Sequence, residues 1–304
     1  MITYESLKNK PSLLKDFSGL SHRAFKKLMG AFGRSYGEDL AAREEQRAAP
    51  RQRQVGGGRK GALVSLEDKL VFILFYFKYY PVQVVQGYFL GMGQAQANEW
   101  IHRLTPVLNQ ALGYECQLPA RQTQTATQVL AACPGLQFIL DGTERPVRRP
   151  KNEDKQRQHY SGKKKRHTVK NNVISDKRTS KVKVLSPTVP GKQHDKALAD
   201  AQAIVFPPGS QLWKDTGFQG YEPANVMTFQ PTKKPKGGEL TPSQKRLNTG
   251  ISQGRIAIEH TLRGIKVFPI VADTFRNLRV GFDDLVMLAC CGLHNLRVDF
   301  PLAA

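Results

Sequence analysis

Acidic side chains are scarce in this chain. Asp and Glu number 25 against 46 Lys and Arg, a formal net charge of +21 over 304 residues. That imbalance argues against an enzyme of small neutral metabolites and points to a polyanionic partner, nucleic acid or an anionic membrane surface. Long apolar runs are also lacking. The most apolar stretch, Leu70 to Phe77, is interrupted by Lys78, well short of the roughly 18–20 residues that cross a bilayer. The opening MITYESLKNK has no apolar core behind its charges, so no secretory signal is expected there. A soluble cytoplasmic protein with no membrane partner is the expectation. Cysteine is sparse: Cys116, Cys133, Cys290 and Cys291 show neither metal spacing nor a disulfide framework, which predicts buried free thiols in a reducing cytosol. Hydrophobic residues, at 40%, suffice for a globular core.

Three segments differ in character. Leu20, Phe25, Leu28 and Phe32 recur at helical spacing, predicting a short amphipathic helix near 21–33. Glu38 to Lys60, with Arg43, Arg51, Arg53, Arg59 and three consecutive glycines at 56–58, has the composition of a basic linker. Ser65 with Asp68 three residues on fits a capping box before the apolar run to Tyr80. Pro81 ends that helix, and a second is expected from about Val82 to Leu90. Gly91-Met92-Gly93 turns the chain, and a third helix follows from about Gln94 to Leu112. Helix, short glycine turn, helix is the helix-turn-helix pattern. The outer face of its last helix would present Gln94, Gln96, Asn98, Glu99, His102 and Arg103. Gln, Asn and Arg are the side chains that read base edges in the major groove. An ordinary three-helix packing module with a polar face is the plainer alternative.

From Leu136 the pattern changes. Residues 136–140, 167–175, 181–189 and 211–214 have strand character, 195–205 and 251–267 helical character, and 282–298 forms a final apolar helix. Residues 231–250, rich in Pro, Lys, Gly, Thr and Ser, suggest a long mobile basic loop. An α/β domain with a mixed sheet follows. Between Arg145 and Lys192 stand 16 Lys or Arg against three acids, centred on Tyr160 to His167. A charge run is often just a solvated face; its position beside a strand ending at Asp141 favours a track for phosphates.

Within this positive field a few carboxylates stand out. Asp141 and Asp215 each end an apolar strand, and parallel neighbours would deliver both to one sheet edge. Glu259 lies on a helix whose same face carries Arg255 and Arg263, four residues to either side, and whose opposite stripe is Ile258, Leu262 and Ile265. Simple ion pairing with those arginines would also explain Glu259. Three converging carboxylates are hard oxygen ligands that can hold two divalent ions, one activating a nucleophile and one stabilising the leaving oxygen of a phosphodiester.

These segments resemble the bacterial insertion-sequence transposases of the DDE superfamily, in the endonuclease group related to Harbinger elements. The carrying motifs are FILDGTERPV, YSGKKKRHTVK, PGKQHDKAL, KDTGFQGY, GRIAIEHTLRGIKVF and LACCGLHNLRV, in the family's order. The Gln in KDTGFQGY departs from simpler versions and lengthens a turn. The resemblance implies a ribonuclease H-like catalytic domain at 126–304, preceded by a helix-turn-helix DNA-binding domain at 65–125 and an N-terminal helical segment and linker at 1–64. It makes Asp141, Asp215 and Glu259 the catalytic and metal-binding triad for two Mg2+ ions, with Mn2+ as a substitute. It puts Tyr160, Lys163, Lys164, Lys165 and Arg166 on DNA near the cleavage point, with Arg255 and Arg263 from the glutamate helix. Asp195 matches a position often acidic in the group and either assists the site or caps the following helix.

The resulting expectation is a nucleoid-associated transposase. It binds double-stranded DNA at terminal inverted repeats, cleaves the element ends and joins the 3′-hydroxyls to target DNA, as a homodimer or larger assembly on DNA. A non-catalytic helix-turn-helix regulator would leave the three carboxylates unexplained. A host endonuclease of the same fold would cut without joining.

Overall fold

Ser65 caps its helix as the sequence predicts: its hydroxyl accepts the Asp68 N–H while the Asp68 carboxylate accepts the Ser65 N–H. The computed structural model describes residues 2–47, 61–235 and 237–301, so the glycine-rich part of the expected linker lies outside the described residues. The chain divides into two compact units. The first comprises Met1–Leu118, Val267–Ile270 and Leu285–Ala304, the second Pro119–Lys266 and Val271–Asp284.

The first unit is helical. Short helices α1 (Tyr4–Leu7) and α2 (Pro11–Ser18) precede α3 (His22–Glu45), then α4 (Leu66–Tyr79), α5 (Gln83–Leu90) and α6 (Gln94–Tyr114). Every residue of α4 from Lys69 to Phe77 is buried, as expected of a helix apolar all round. Tyr80 and Gly91, both left-handed, close α4 and α5. Helix α3 runs twelve residues past the expected end at 33, so Glu38–Glu45 is not linker. Paired charges explain the extension: Glu38 holds Arg34 and the Tyr114 hydroxyl of α6, and Asp39 holds Arg43 and Arg103. Composition alone cannot distinguish such a paired helix from a charged linker.

The second unit is a mixed α/β structure. Its elements are α7 (Thr123–Ala131), β1 (Gln137–Pro146), α8 (Glu153–His159), β2 (Tyr160–Ser161), β3 (Arg166–Asp176), β4 (Val182–Leu185), β5 (Val189–Pro190), α9 (Asp195–Gln202), β6 (Ser210–Lys214), β7 (Val226–Phe229) and α10 (Pro242–Ile265). The sheet order is β2-β3-β1-β6-β7, with β4 and β5 also pairing with β3. Strand β1 is antiparallel to β3 but parallel to β6, and β6 is parallel to β7. Phe138, Leu140 and Leu212 point to one face, into a core with Ile174, Phe206 and Phe218. Ile139 and Trp213, one residue out of phase, point to the other face, where α10 packs on β1 and β6.

Two expectations are corrected here. The stretch 231–250 is not one long loop, because α10 begins at Pro242. Thr241 and Gln244 form a capping box and Pro242 occupies the first turn. Nor does β1 end at Asp141. It continues to Pro146 in its antiparallel ladder with β3, after its parallel ladder with β6 stops at Leu140 and Lys214. The final helix, α11 (Phe282–Asp299), carries the buried thiols Cys290 and Cys291. No helix among the described residues is long and apolar enough to cross a membrane.

Candidate active site

Strand register brings Asp141 and Asp215 together. Leu140 pairs with Lys214; Asp141 is the next residue of β1 and Asp215 the first residue after β6. Both share the parity of Ile139 and Trp213, so both carboxylates emerge on the face covered by α10. Arg255 of α10 meets them there, Nη2 at 3.6 Å from Asp141 Oδ2 and Nη1 at 3.5 Å from Asp215 Oδ1. Asp141 Oδ1 accepts the Gly142 N–H at 2.8 Å, and Asp215 Oδ1 accepts the Thr216 N–H at 2.6 Å. Burial pushes the Asp141 carboxyl up to about 6, against the opposing pull of Arg255 and the Gly142 N–H, and the charges of Asp215 and Asp195 push the same way as burial. Lys214, on the opposite face and wholly buried, donates to the Tyr221 carbonyl and pairs with Glu222 at 2.5 Å, which fixes the turn after Asp215.

Gly254 sets how closely α10 approaches. A Cβ there would lie 2.8 Å from Trp213 Nε1, and the indole cannot easily yield. It stacks on Phe229 with ring centroids 4.6 Å apart and carries the Lys177 ammonium 3.7 Å from its own centroid. Glu259 sits one turn beyond Arg255 on α10 and is exposed. Among the described residues no three acidic, His or Cys side chains stand close enough together to share one metal ion.

This arrangement lies within a recognisable segment. Residues 140–295, half of the chain, match the family described as DDE superfamily endonuclease. The chain belongs to the DDE superfamily endonucleases. The "Probable transposase for insertion sequence element IS702" of Microchaete diplosiphon is 26% identical over 263 residues, covering 85% of this chain and 88% of that protein. No solved structure matches.

The DDE endonuclease carries further charged groups around these aspartates. Asp195, first residue of α9, does not cap that helix; its carboxylate turns to Lys170, 3.0 Å from the ammonium. Lys170, only 5% exposed, also stands 3.4 Å from Glu144. A Cβ on Gly142 would come within 3.0 Å of the Asp195 carboxylate, so the glycine after Asp141 makes room for it. Sequence reasoning passed over Glu144 and Lys170. A charged side chain inside the otherwise buried run of β3 was the available signal.

The expected basic track is a hairpin. Tyr160 pairs with His167 and Ser161 with Arg166, leaving Lys163, Lys164 and Lys165 exposed at the tip and Arg166 exposed at its base. A cavity of about 400 Å³ runs beside it, its lining including Lys163 and the Lys170–Asp195 pair together with Asp215 and Gly217. Arg263 is exposed on α10. In the helical unit Gln94 and Gln96 are exposed, while Asn98 and His102 are half-buried and Asn98 accepts from Gln83. Arg103, expected on the outer face of α6, instead pairs with Asp39 at 2.7 Å and stacks over Tyr36 and Trp100. The reason is the extension of α3, which supplies that carboxylate.

Proposed function

We propose that this endonuclease is a DNA transposase. It binds terminal inverted repeats, cleaves the element ends and joins the freed 3′-hydroxyls to target DNA. The observation that carries the reading is the pairing of Asp141 and Asp215, presented side by side on one guanidinium within a strongly basic surround. We assign the catalytic domain to 126–304, of ribonuclease H-like type, and end recognition to the helix-turn-helix of 65–125. Both DNA ends must be handled together, so the working form is a dimer or larger assembly.

The donor set fits hard divalent cations. Asp141 and Asp215 are carboxylates already oriented toward a positive group, and the ionised form of Asp141 is held at a cost that a cation offsets. Asp141, Asp215 and Glu259 would hold the ions, two Mg2+ or Mn2+ in their place. Bound there, such ions supply charge for both the attacking and the leaving oxygen of an in-line displacement. The chain's own residues do the rest. Tyr160, Lys163, Lys164, Lys165 and Arg166 hold the DNA backbone beside the carboxylates. Arg255 and Arg263 balance the charge that phosphates and carboxylates bring together. Gln94 and Gln96 face solvent as base-reading side chains. In cleavage, the oxygen of water ends on the phosphate and the element's 3′ oxygen departs as a hydroxyl. In joining, that hydroxyl displaces a 3′ oxygen of the target.

The test pairs two DNA substrates with wild type and Asp141→Ala. Wild type is expected to nick DNA bearing the element ends and to join pre-cut ends to a target plasmid, and Asp141→Ala to do neither while still shifting the DNA in a gel. Cleavage without joining by wild type would leave only a nuclease. Full activity in the variant would remove the site altogether.

A further inference from the structure

Beside the β2–β3 hairpin lies a second cleft, of about 510 Å³, lined by Arg149, Gln156, Arg157, Tyr160, His167 and Lys192. Among the described residues no carboxylate lines it. Tyr160 and Lys192 border both this cleft and the cavity that reaches Asp195 and Asp215, so the two spaces adjoin at those side chains.

The lining has two parts. Tyr160, 47% exposed, packs edge to face against His167 with centroids 5.8 Å apart, and register fixes this pair because the two residues face each other across the β2–β3 hairpin. Around the rings stand Arg149, Arg157 and Lys192. Arg157, largely exposed, pairs with Asp154 at 2.6 Å, and Arg149 donates to Gln156 at 2.9 Å; both guanidiniums line the cleft. A duplex backbone alone would call for cations but not for a ring platform. A base can stack on that platform only once one of its faces is free, which inside a strand requires it to leave the helical stack, as a flipped or single-stranded nucleotide does.

We propose that this cleft binds an unpaired nucleotide of the DNA strand passing through the active site, its base against Tyr160 and His167 and its phosphate among Arg149, Arg157 and Lys192. The inference rests on the reading that DNA is the substrate and adds a subsite for a nucleotide displaced from the helix next to the cleavage point. Chain continuity carries it: a strand in the cavity beside Asp215 crosses Tyr160 to enter the cleft.

The experiment measures full-length protein, by fluorescence anisotropy at fixed salt, against two labelled duplexes of identical paired sequence. One is blunt and the other carries three unpaired thymines at one 5′ end. Wild type should bind the overhang duplex about tenfold more tightly or better, the range of one stacked base. Tyr160→Ala should collapse that ratio toward one, and Tyr160→Phe should keep it. Replacing the first unpaired thymine by 2-aminopurine should give fluorescence that is quenched on binding wild type. Equal affinity of wild type for both duplexes, or a ratio untouched by Tyr160→Ala, overturns the proposal while leaving DNA as the substrate. Failure to bind either duplex removes the underlying reading as well.

Discussion

The Nη2 of Arg255 stands 3.6 Å from Oδ2 of Asp141, a carboxyl that burial has pushed up to about 6. The guanidinium offsets only part of what burial costs. A carboxylate held this way is a place where a further cation would be favourable.

Stability should therefore depend on pH through Asp141. Its carboxyl is raised from the usual 3.8 to about 6, so the folded protein keeps a proton that the unfolded chain loses over that interval. Stability falls as pH rises from about 4 to about 6, by at most about 3 kcal/mol from this group. Asp141→Asn removes the charge at nearly constant shape. The variant should be more stable than wild type at pH 7 and less so, or equal, at pH 4, by urea unfolding in chelator. Millimolar Mg2+ should narrow the gap at pH 7 by stabilising wild type alone. A variant less stable than wild type at pH 7 in chelator would contradict this account.

Gly254→Ala sets two effects against each other. Alanine favours the helix by roughly 1 kcal/mol, while crowding the fixed indole of Trp213 costs about 1–3 kcal/mol. The net loss of stability should be small, about 0–2 kcal/mol in urea. Moving α10 outward carries Arg255 and Glu259 away from the aspartates, so single-turnover DNA cleavage should drop about tenfold or more. Cleavage at the wild-type rate would show that the close approach of α10 is dispensable.

Replacing Lys163, Lys164 and Lys165 together by Gln tests the hairpin tip. Each lysine that neutralises a phosphate contributes about one to the slope of log affinity against log salt. The slope for duplex binding should fall by about three, with little change in unfolding, since the tip is exposed. An unchanged slope would place the phosphate path elsewhere.

Much of this site could be read from the chain alone, for identifiable reasons. Asp141 and Asp215 each follow a short apolar run, and the capping box at Ser65 announces α4. The parallel pairing of β1 with β6 could only be posed as a condition, because it joins segments distant in sequence. Arg255 was seen as a charge near Glu259, not as the group between two aspartates, since that depends on where α10 docks. The start of α10 was hidden by its polar first turns, although Thr241 and Gln244 form the same kind of box that revealed α4. Strand β7 is four residues long and only partly covered, too brief for alternation to register. The ion pair between Arg103 and Asp39 needed the full length of α3.

The ladder between β1 and β6 stops at Leu140 and Lys214, so the two aspartates are neighbours by counting along separate strands. Deleting a single codon from either strand would swing one carboxylate through to the side filled by Phe138 and Leu212. Apolar residues could exchange at Phe138 and Leu212, but the number of residues before each aspartate is fixed by the register. Descendants of this chain are thus free to vary in spelling there and not in length.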